Sequence, residues 1–162
     1  MALDMFMKIG KDVGGESIDS KHPDEIQVLA WSWGMSQAGS MHDSTGGGAG
    51  KVNVQDLSFT KYVDVASHRL KLALVRGDHF DDAILTVRKA GGAAALEYLK
   101  VTMKNVIVTS LSDGGSGGED RLTENVTLNF AEFEYVYQAQ DEKGAAKGGE
   151  KTATWKIAKS SE

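Results

Sequence analysis

The sequence predicts a mainly β protein, a small antiparallel β-barrel built from two sheets, together with one α-helix. Three observations lead to this expectation. Apolar and polar residues alternate with a period of two along most of the chain. Glycine-rich turns separate the alternating segments. Two of the longest segments also move their apolar residues from one face to the other, which a single flat sheet does not allow.

The first two strands are predicted at residues 3–9 and 25–36. Residues 3–9, LDMFMKI, alternate in the way that is typical of a strand. In EIQVLAWSWGMS, residues 25–36, one face carries Leu29, Trp31, Trp33 and Met35, and the other carries Ile26, Val28, Ala30, Ser32 and Gly34. We expect the tryptophan face to be buried and the opposite face, which ends in small residues, to be open.

Further strands are predicted downstream, near 52–60, 80–90, 95–111, 122–138 and 151–158. The glycine-rich turns between them include AGG at 90–92, DGGSGG at 113–118 and KGAAKGG at 143–149. Six or more strands punctuated in this way indicate an antiparallel sandwich or barrel.

A change of phase within two of these strands favours the barrel. In LTENVTLNFAEFEYVY, Val126, Leu128 and Phe130 share one face, and Phe133, Tyr135 and Tyr137 fall on the other. The segment 95–111 changes phase after Met103. A strand changes its buried face only at a bulge or where it passes from one sheet to another. Long strands that bend between two sheets close a small barrel.

One helix is predicted near 64–76. Its apolar stripe has helical spacing and consists of Val63, Ala66, Leu70, Ala73 and Leu74. Asp64 or Ser67 can cap its start, and Gly77 can end it. The alternation of Leu70, Leu72 and Leu74 leaves a strand open as the alternative.

Length and composition narrow the class of protein. A length of 162 residues fits one domain, 1–162. A composition of 41% apolar and 25% charged residues is typical of a globular protein. The net charge of −5 argues against nucleic acid as a partner. The chain has no cysteine, its start lacks the basic region of a secretory signal, and no segment reaches the roughly 20 apolar residues of a membrane span. We expect a cytosolic protein that is not inserted in a membrane. If the protein leaves the cell, we expect a route that needs no cleavable signal.

No motif in the sequence predicts an enzyme or a cofactor. STGGGAGKV, residues 44–52, resembles a phosphate-binding loop, but Thr45 replaces a required glycine and Val52 replaces the serine or threonine that follows the lysine. The acidic residues and histidine of GDHFDD, residues 77–82, have no familiar metal-site spacing. We therefore expect no catalytic residue, no metal and no bound cofactor.

Five segments taken in order resemble one family. They are LDMFMKIG, VLAWSWGMSQ, GKVNVQDLSFTKYVD, LTVRKAGG and GGSGGEDRLTENVTLNFAEF. Together they are similar to the haemolysin-coregulated protein (Hcp) family of bacterial type VI secretion systems, over essentially the whole chain. The resemblance implies a two-sheet barrel with its helix on the side, assembled as hexameric rings that stack into a tube within a contractile sheath. It also implies export by the secretion machine, with small effector proteins carried in the ring lumen.

The resemblance assigns roles to two groups of residues. Candidates for the effector-binding lumen are Ala30, Ser32 and Gly34, and candidates for the ring-stacking loop are Thr45, Gly46, Gly47, Gly48, Gly50 and Lys51. The implied partners are further copies of the chain, type VI effectors, and the sheath and spike proteins. The alternative is a monomeric barrel whose aromatic residues enclose a small hydrophobic ligand. An enzyme of unstated chemistry is a more distant alternative.

Overall fold

The computed structural model describes residues 3–42, 46–89 and 95–162. Within them lie one helix, α1 (Ser67–Arg76), and the strands β1 (Leu3–Ile9), β2 (Ile26–Ser32), β3 (Met35–Ser36), β4 (Asn53–Val54), β5 (Leu57–Tyr62), β6 (His79–Lys89), β7 (Glu97–Gly114), β8 (Thr123–Tyr137) and β9 (Lys151–Lys156). The segment predicted as one strand at 52–60 is divided between β4 and β5. The turn predicted at 90–92 lies outside the described residues.

The strands close into an antiparallel barrel. The sheet order is β5-β2-β1-β6-β7-β8-β9. A further pairing between β5 and β8 closes the first six of these strands into the barrel, and β9 is attached to β8 outside it. The short strands β3 and β4 pair separately as a hairpin. The predicted mainly β, antiparallel barrel with one helix is therefore confirmed.

A bend crosses three neighbouring strands of the barrel at one level. In β7, Met103 and Val106 are both buried, and Asn105 between them has a left-handed backbone with φ of 53°. The residues flanking Asn105 pair with the residues on either side of Asp81 in β6 and of Ala131 in β8. The buried face therefore shifts by one residue in all three strands. The changes of phase predicted in β7 and β8 are confirmed, and the one in β6 was not foreseen.

The face of β2 differs from the prediction because of a bulge. The register with β5 shifts between Val28 and Ala30, so that Ile26 and Val28 are buried although they were expected on the open face. Beyond the bulge, Trp31 and Trp33 pack against the core as expected. The expectation is wrong for the other two members of that face, since Leu29 is 40% and Met35 is 47% exposed.

Large side chains fill the inside of the barrel. Those almost fully shielded from solvent include Met7, Ile9, Ile26, Leu57, Phe59, Leu85, Met103 and Leu128. Such interdigitated packing is that of a solid core rather than of a barrel that encloses a ligand.

Helix α1 packs on the side of the barrel against β7, where it buries Leu70 and Ala73. It begins three residues later than the predicted boundary, because Asp64 lies in the preceding turn and accepts the backbone N–H of Ala66 at 2.9 Å. Gly77 ends it in the left-handed conformation, with φ of 69°, as predicted.

None of the helices within the described ranges has the length and apolar character that crossing a bilayer requires.

A buried ionic cluster attaches the start of α1 to the barrel. Lys61 of β5 and Glu124 of β8 are both fully buried, and their side chains form an ion pair. The Lys61 ammonium also contacts Asp64 at 2.9 Å and donates to the backbone carbonyl of Tyr62 at 2.9 Å. The Ser67 hydroxyl, on the first turn of α1, donates to the same Glu124 oxygen at 2.7 Å. The helix start is thus fixed by polar contacts inside the protein.

Candidate functional site

Four neighbouring strands, β2, β5, β8 and β7, present a face of short polar side chains on the outside of the barrel. Their registers align two rows across the strands, Ala30–Thr60–Asn125–Ser112 and Ser32–Ser58–Thr127–Ser110. All eight side chains are exposed or half-buried, and the residues that alternate with them on β5 and β8 point into the core. We call these eight residues the hydroxyl face.

The hydroxyl face is uncharged and makes hydrogen bonds within itself. Thr60 donates to the Asn125 side chain at 2.6 Å, and the hydroxyls of Ser110 and Thr127 lie 2.7 Å apart. Short side chains lose little rotamer entropy on contact, and neutral ones avoid the cost of desolvating a charge. Such a surface suits weak contacts with proteins of varied sequence.

Among the described residues, no further strand pairs with most of the two lateral edges of the four-strand unit. β1 pairs with β2 only at Ile26 and Gln27, so the rest of β2 pairs with β5 alone. β6 pairs with β7 no further than Ile107, so the end of β7 pairs with β8 alone. Unpaired strand edges are templates for another strand. Because successive strands alternate in direction, β2 of one copy runs antiparallel to β7 of the next when the two edges meet.

The structure brings together two of the three residues predicted for the lumen. Ala30 and Ser32 lie on the hydroxyl face and are exposed. Gly34 lies beyond the end of β2, where its carbonyl accepts the N–H of Gln55 at 3.0 Å, and it is outside the two rows. The six other residues of the face were missed. For four of them the signal was present, because Ser58, Thr60, Asn125 and Thr127 are the polar positions that alternate with the buried residues of LSFT, residues 57–60, and NVTL, residues 125–128.

The segment predicted as the stacking loop forms most of a two-stranded ribbon. The ribbon, residues 35–54 with 43–45 outside the described part, extends the β3–β4 hairpin. Gly50 donates its N–H to the Ala38 carbonyl at 2.8 Å, and Ser40 donates its N–H to the Gly48 carbonyl at 3.1 Å. These ladder contacts give the predicted loop a regular two-stranded backbone.

Two of the ribbon glycines are required by the ribbon itself. Gly46 has φ of 75°, and a Cβ added at Gly47 would lie 2.9 Å from the Ser40 carbonyl oxygen. At Gly48 the nearest atom to such a Cβ is 4.0 Å away. Of the remaining predicted residues, Gly50 accepts a hydrogen bond from the Gln37 side chain and Lys51 is exposed, whereas Thr45 lies outside the described residues.

Charged side chains near the barrel form structural anchors. Arg88 pairs with Asp19 and with Asp4, 3.3 Å away, and lies over the Phe6 ring. The hydrogen bond from Arg88 lowers the pKa of Asp19 below its ordinary 3.8, and the same bond raises the pKa of Arg88. His22 stacks against Phe6, at 4.4 Å between ring centroids. These contacts hold residues 10–25 against β1 and β6.

The chain matches one protein family over most of its length. The family model described as "Type VI secretion system effector, Hcp" matches residues 6–137. Protein hcp1 of Pseudomonas aeruginosa is 61% identical over 157 residues, which cover 97% of this chain and 96% of that protein.

Solved structures give the same result. A type six secretion system protein superposes with a TM-score of 0.90 at 31% identity, and the match covers 98% of both chains. Hcp1 of Salmonella typhimurium has a TM-score of 0.79 at 36% identity, with 99% of this chain and 98% of that chain covered. The chain belongs to the Hcp family of type VI secretion system proteins.

Proposed function

We propose that this chain is the subunit of a type VI secretion inner tube, in which hexameric rings close through the free edges of the four-strand unit. The observation that carries the proposal is the pair of free edges, one on β2 and one on β7, on either side of the hydroxyl face. Six copies that pair β2 with a neighbour's β7 form a closed head-to-tail ring with a continuous antiparallel inner wall. A closed ring leaves no free edge of this kind on any copy.

The hydroxyl face lines the lumen of this ring and carries small effector proteins before their delivery. In this arrangement Ala30 and Ser32 meet the cargo, and Gly34 lies at the rim. The ring stacks with further rings through the ribbon, and its outer surface and ends face the sheath and spike proteins. The tube is assembled in the cytoplasm and exported by the machine, and the chain acts as a structural carrier rather than as an enzyme.

The monomeric ligand-binding barrel fits the structure less well. A barrel of this kind holds its ligand inside, where the present chain places Phe59, Leu85 and Met103 at no more than 1% exposure. Light scattering and negative-stain microscopy of the purified chain distinguish the two functions. A ring supports the tube subunit, and a monomer with a bound hydrophobic molecule supports the alternative.

A charge placed on the hydroxyl face tests the lumen. Ser32→Glu puts a carboxylate on the proposed inner wall, six times per ring, and we expect rings of normal size that no longer retain a small effector. Thr152→Glu on β9, which is exposed and outside the hydroxyl face, is the matched control and is expected to retain it. If Ser32→Glu yields only monomers, Ser32 lies in a contact between subunits. If its rings still retain the effector, the hydroxyl face is not the cargo surface.

A further inference from the structure

A cleft lies between the base of the ribbon and the pair of strands β8 and β9. Its volume is about 510 Å³, within the range of roughly 300–1,000 Å³ that is typical of binding sites. Apolar side chains line it from both sides, Val52 and Val54 on the ribbon, Phe133 on β8 and Trp155 on β9. We call this space the ribbon cleft.

The edge of β9 that borders the ribbon cleft has backbone groups available for pairing. Lys156 donates its backbone N–H to the carbonyl of Ser161, which follows β9, at 2.6 Å, so this N–H points away from β8. Because backbone direction alternates along a strand, the N–H and C=O groups of Thr152 and Thr154 also point away from β8. In the described part of the chain, no turn or loop backbone hydrogen bond involves either threonine. Thr154 and Ser160 both line the ribbon cleft, which therefore opens onto this edge.

The ribbon cleft carries a positive charge. Lys51 is the one charged side chain among the described residues that line it. Glu132 and Glu134 alternate with Phe133 along β8, so they project from the other face of the sheet. An apolar partner with an acidic group is therefore complementary to the ribbon cleft.

We infer that the ribbon cleft binds an extended segment of another protein, which pairs with the edge of β9 as an added strand. Alternate side chains of a strand share a face, so a large apolar residue and an acidic residue two positions apart both enter the cleft. The apolar side chain then packs on Trp155, and the acidic one pairs with Lys51. Backbone hydrogen bonds to Thr152 and Thr154 supply affinity, and the two side chains supply selectivity.

This contact goes beyond the proposed tube function. It uses β9, whereas the proposed ring closes through β2 and β7 and carries its cargo on the hydroxyl face. The outward backbone groups of β9 favour a peptide segment over a small apolar molecule, because such a molecule would leave them unpaired.

Proline at position 154 tests the added strand. Thr154→Pro removes the N–H that points away from β8 and leaves the ladder between β9 and β8 intact, as proline does on an edge strand. Thr154→Ala, which keeps this N–H, is the matched control. The probes are fluorescein-labelled peptides Thr-Val-Thr-X-Thr-Glu-Thr, in which X is Leu, Phe or Trp, and fluorescence anisotropy measures their binding. We expect at least one peptide to bind, and Thr154→Pro to weaken that binding about tenfold or more, with little effect of Thr154→Ala.

Reversal of the charge at position 51 tests the selectivity. Lys51→Glu should weaken binding of the same peptide and should favour its counterpart in which Lys replaces Glu. An unchanged preference for the acidic peptide would overturn the inference.

Three other results would also overturn it. One is the failure of all three peptides to bind, and another is binding that Thr154→Pro leaves unchanged in a folded chain. The third is binding to monomers but not to rings, because a neighbouring copy then occupies the ribbon cleft. None of these results decides whether rings form, which light scattering measures separately.

Discussion

Replacement of Lys61 by methionine should strongly destabilise the protein. Lys61 and Glu124 are both fully buried, and the ammonium is the one positive charge in contact with that carboxylate among the described residues. Methionine retains most of the volume but leaves the Glu124 charge with the Ser67 hydroxyl as its donor, at 2.7 Å. The other carboxylate oxygen of Glu124 already lacks a hydrogen-bond partner within the described part of the protein.

The expected loss follows from the burial of the pair. Removing one partner of a buried ion pair costs about 3–5 kcal/mol, because the remaining charge has lost its compensation. For a chain of this size, the melting temperature falls by about 2–4 °C for each kcal/mol, so a decrease of about 6–20 °C is expected. The double variant Lys61→Met/Glu124→Leu removes both charges of the pair. It should recover part of this loss, since Asp64, 2.9 Å from the Lys61 ammonium, still loses its partner.

Urea unfolding of the three proteins, followed by tryptophan fluorescence, measures the effect. All samples need the same protein concentration, because assembly into the proposed ring would stabilise the folded chain by mass action. A loss below about 1 kcal/mol for Lys61→Met would refute the reasoning, since a solvated pair costs no more than this. A double variant that is less stable than Lys61→Met would show that the pair itself, rather than the isolated charge, carries the stability.

Three further changes test other parts of the structure. Gly47→Ala should distort the ribbon and abolish tubes while rings persist, whereas Gly48→Ala, where a methyl group has room, should leave tubes visible by electron microscopy. Asn105→Ala should cost about 1–2 kcal/mol in urea unfolding because of its left-handed backbone, and Asn105→Gly should cost less. Asp19→Asn should destabilise the protein at neutral pH, because the fold stabilises the ionised form of this carboxyl, as its lowered pKa indicates. The difference in unfolding free energy between the variant and the unchanged chain should shrink as pH falls below 3.8. A difference that is constant with pH would contradict this.

The local pattern of the sequence was sufficient for most of the barrel. Alternation located the strands, and the step from Phe130 to Phe133 located a bend, since both signals depend only on neighbouring residues. The bulge after Val28 was invisible because it depends on the register with β5, which is set by residues far away in the chain.

The candidate site was harder to predict from the sequence than the fold. Ser32 could be selected from its own strand, but Thr127 and Ser110 join it only through the successive pairings of β2, β5, β8 and β7. Lys61 and Glu124 follow the same alternation as the buried apolar residues of β5 and β8, but only the pairing of the two strands shows that the two charges lie side by side. The glycines of the ribbon could be selected as a candidate stacking loop, but the constraint on Gly47 comes from the opposite arm, at the Ser40 carbonyl.

The open edges of β2 and β7 also bear on what happens to a copy that fails to find its neighbours. Newly made subunits expose backbone donors and acceptors that any extended polypeptide can occupy, so unassembled chains are at risk of clumping or of capture by unrelated proteins. Cells that overproduce this chain should therefore accumulate insoluble material whenever assembly is blocked, even if the blocked variant is fully folded. In the proposed ring, pairing with neighbouring copies would cover these edges and protect the chain against aggregation.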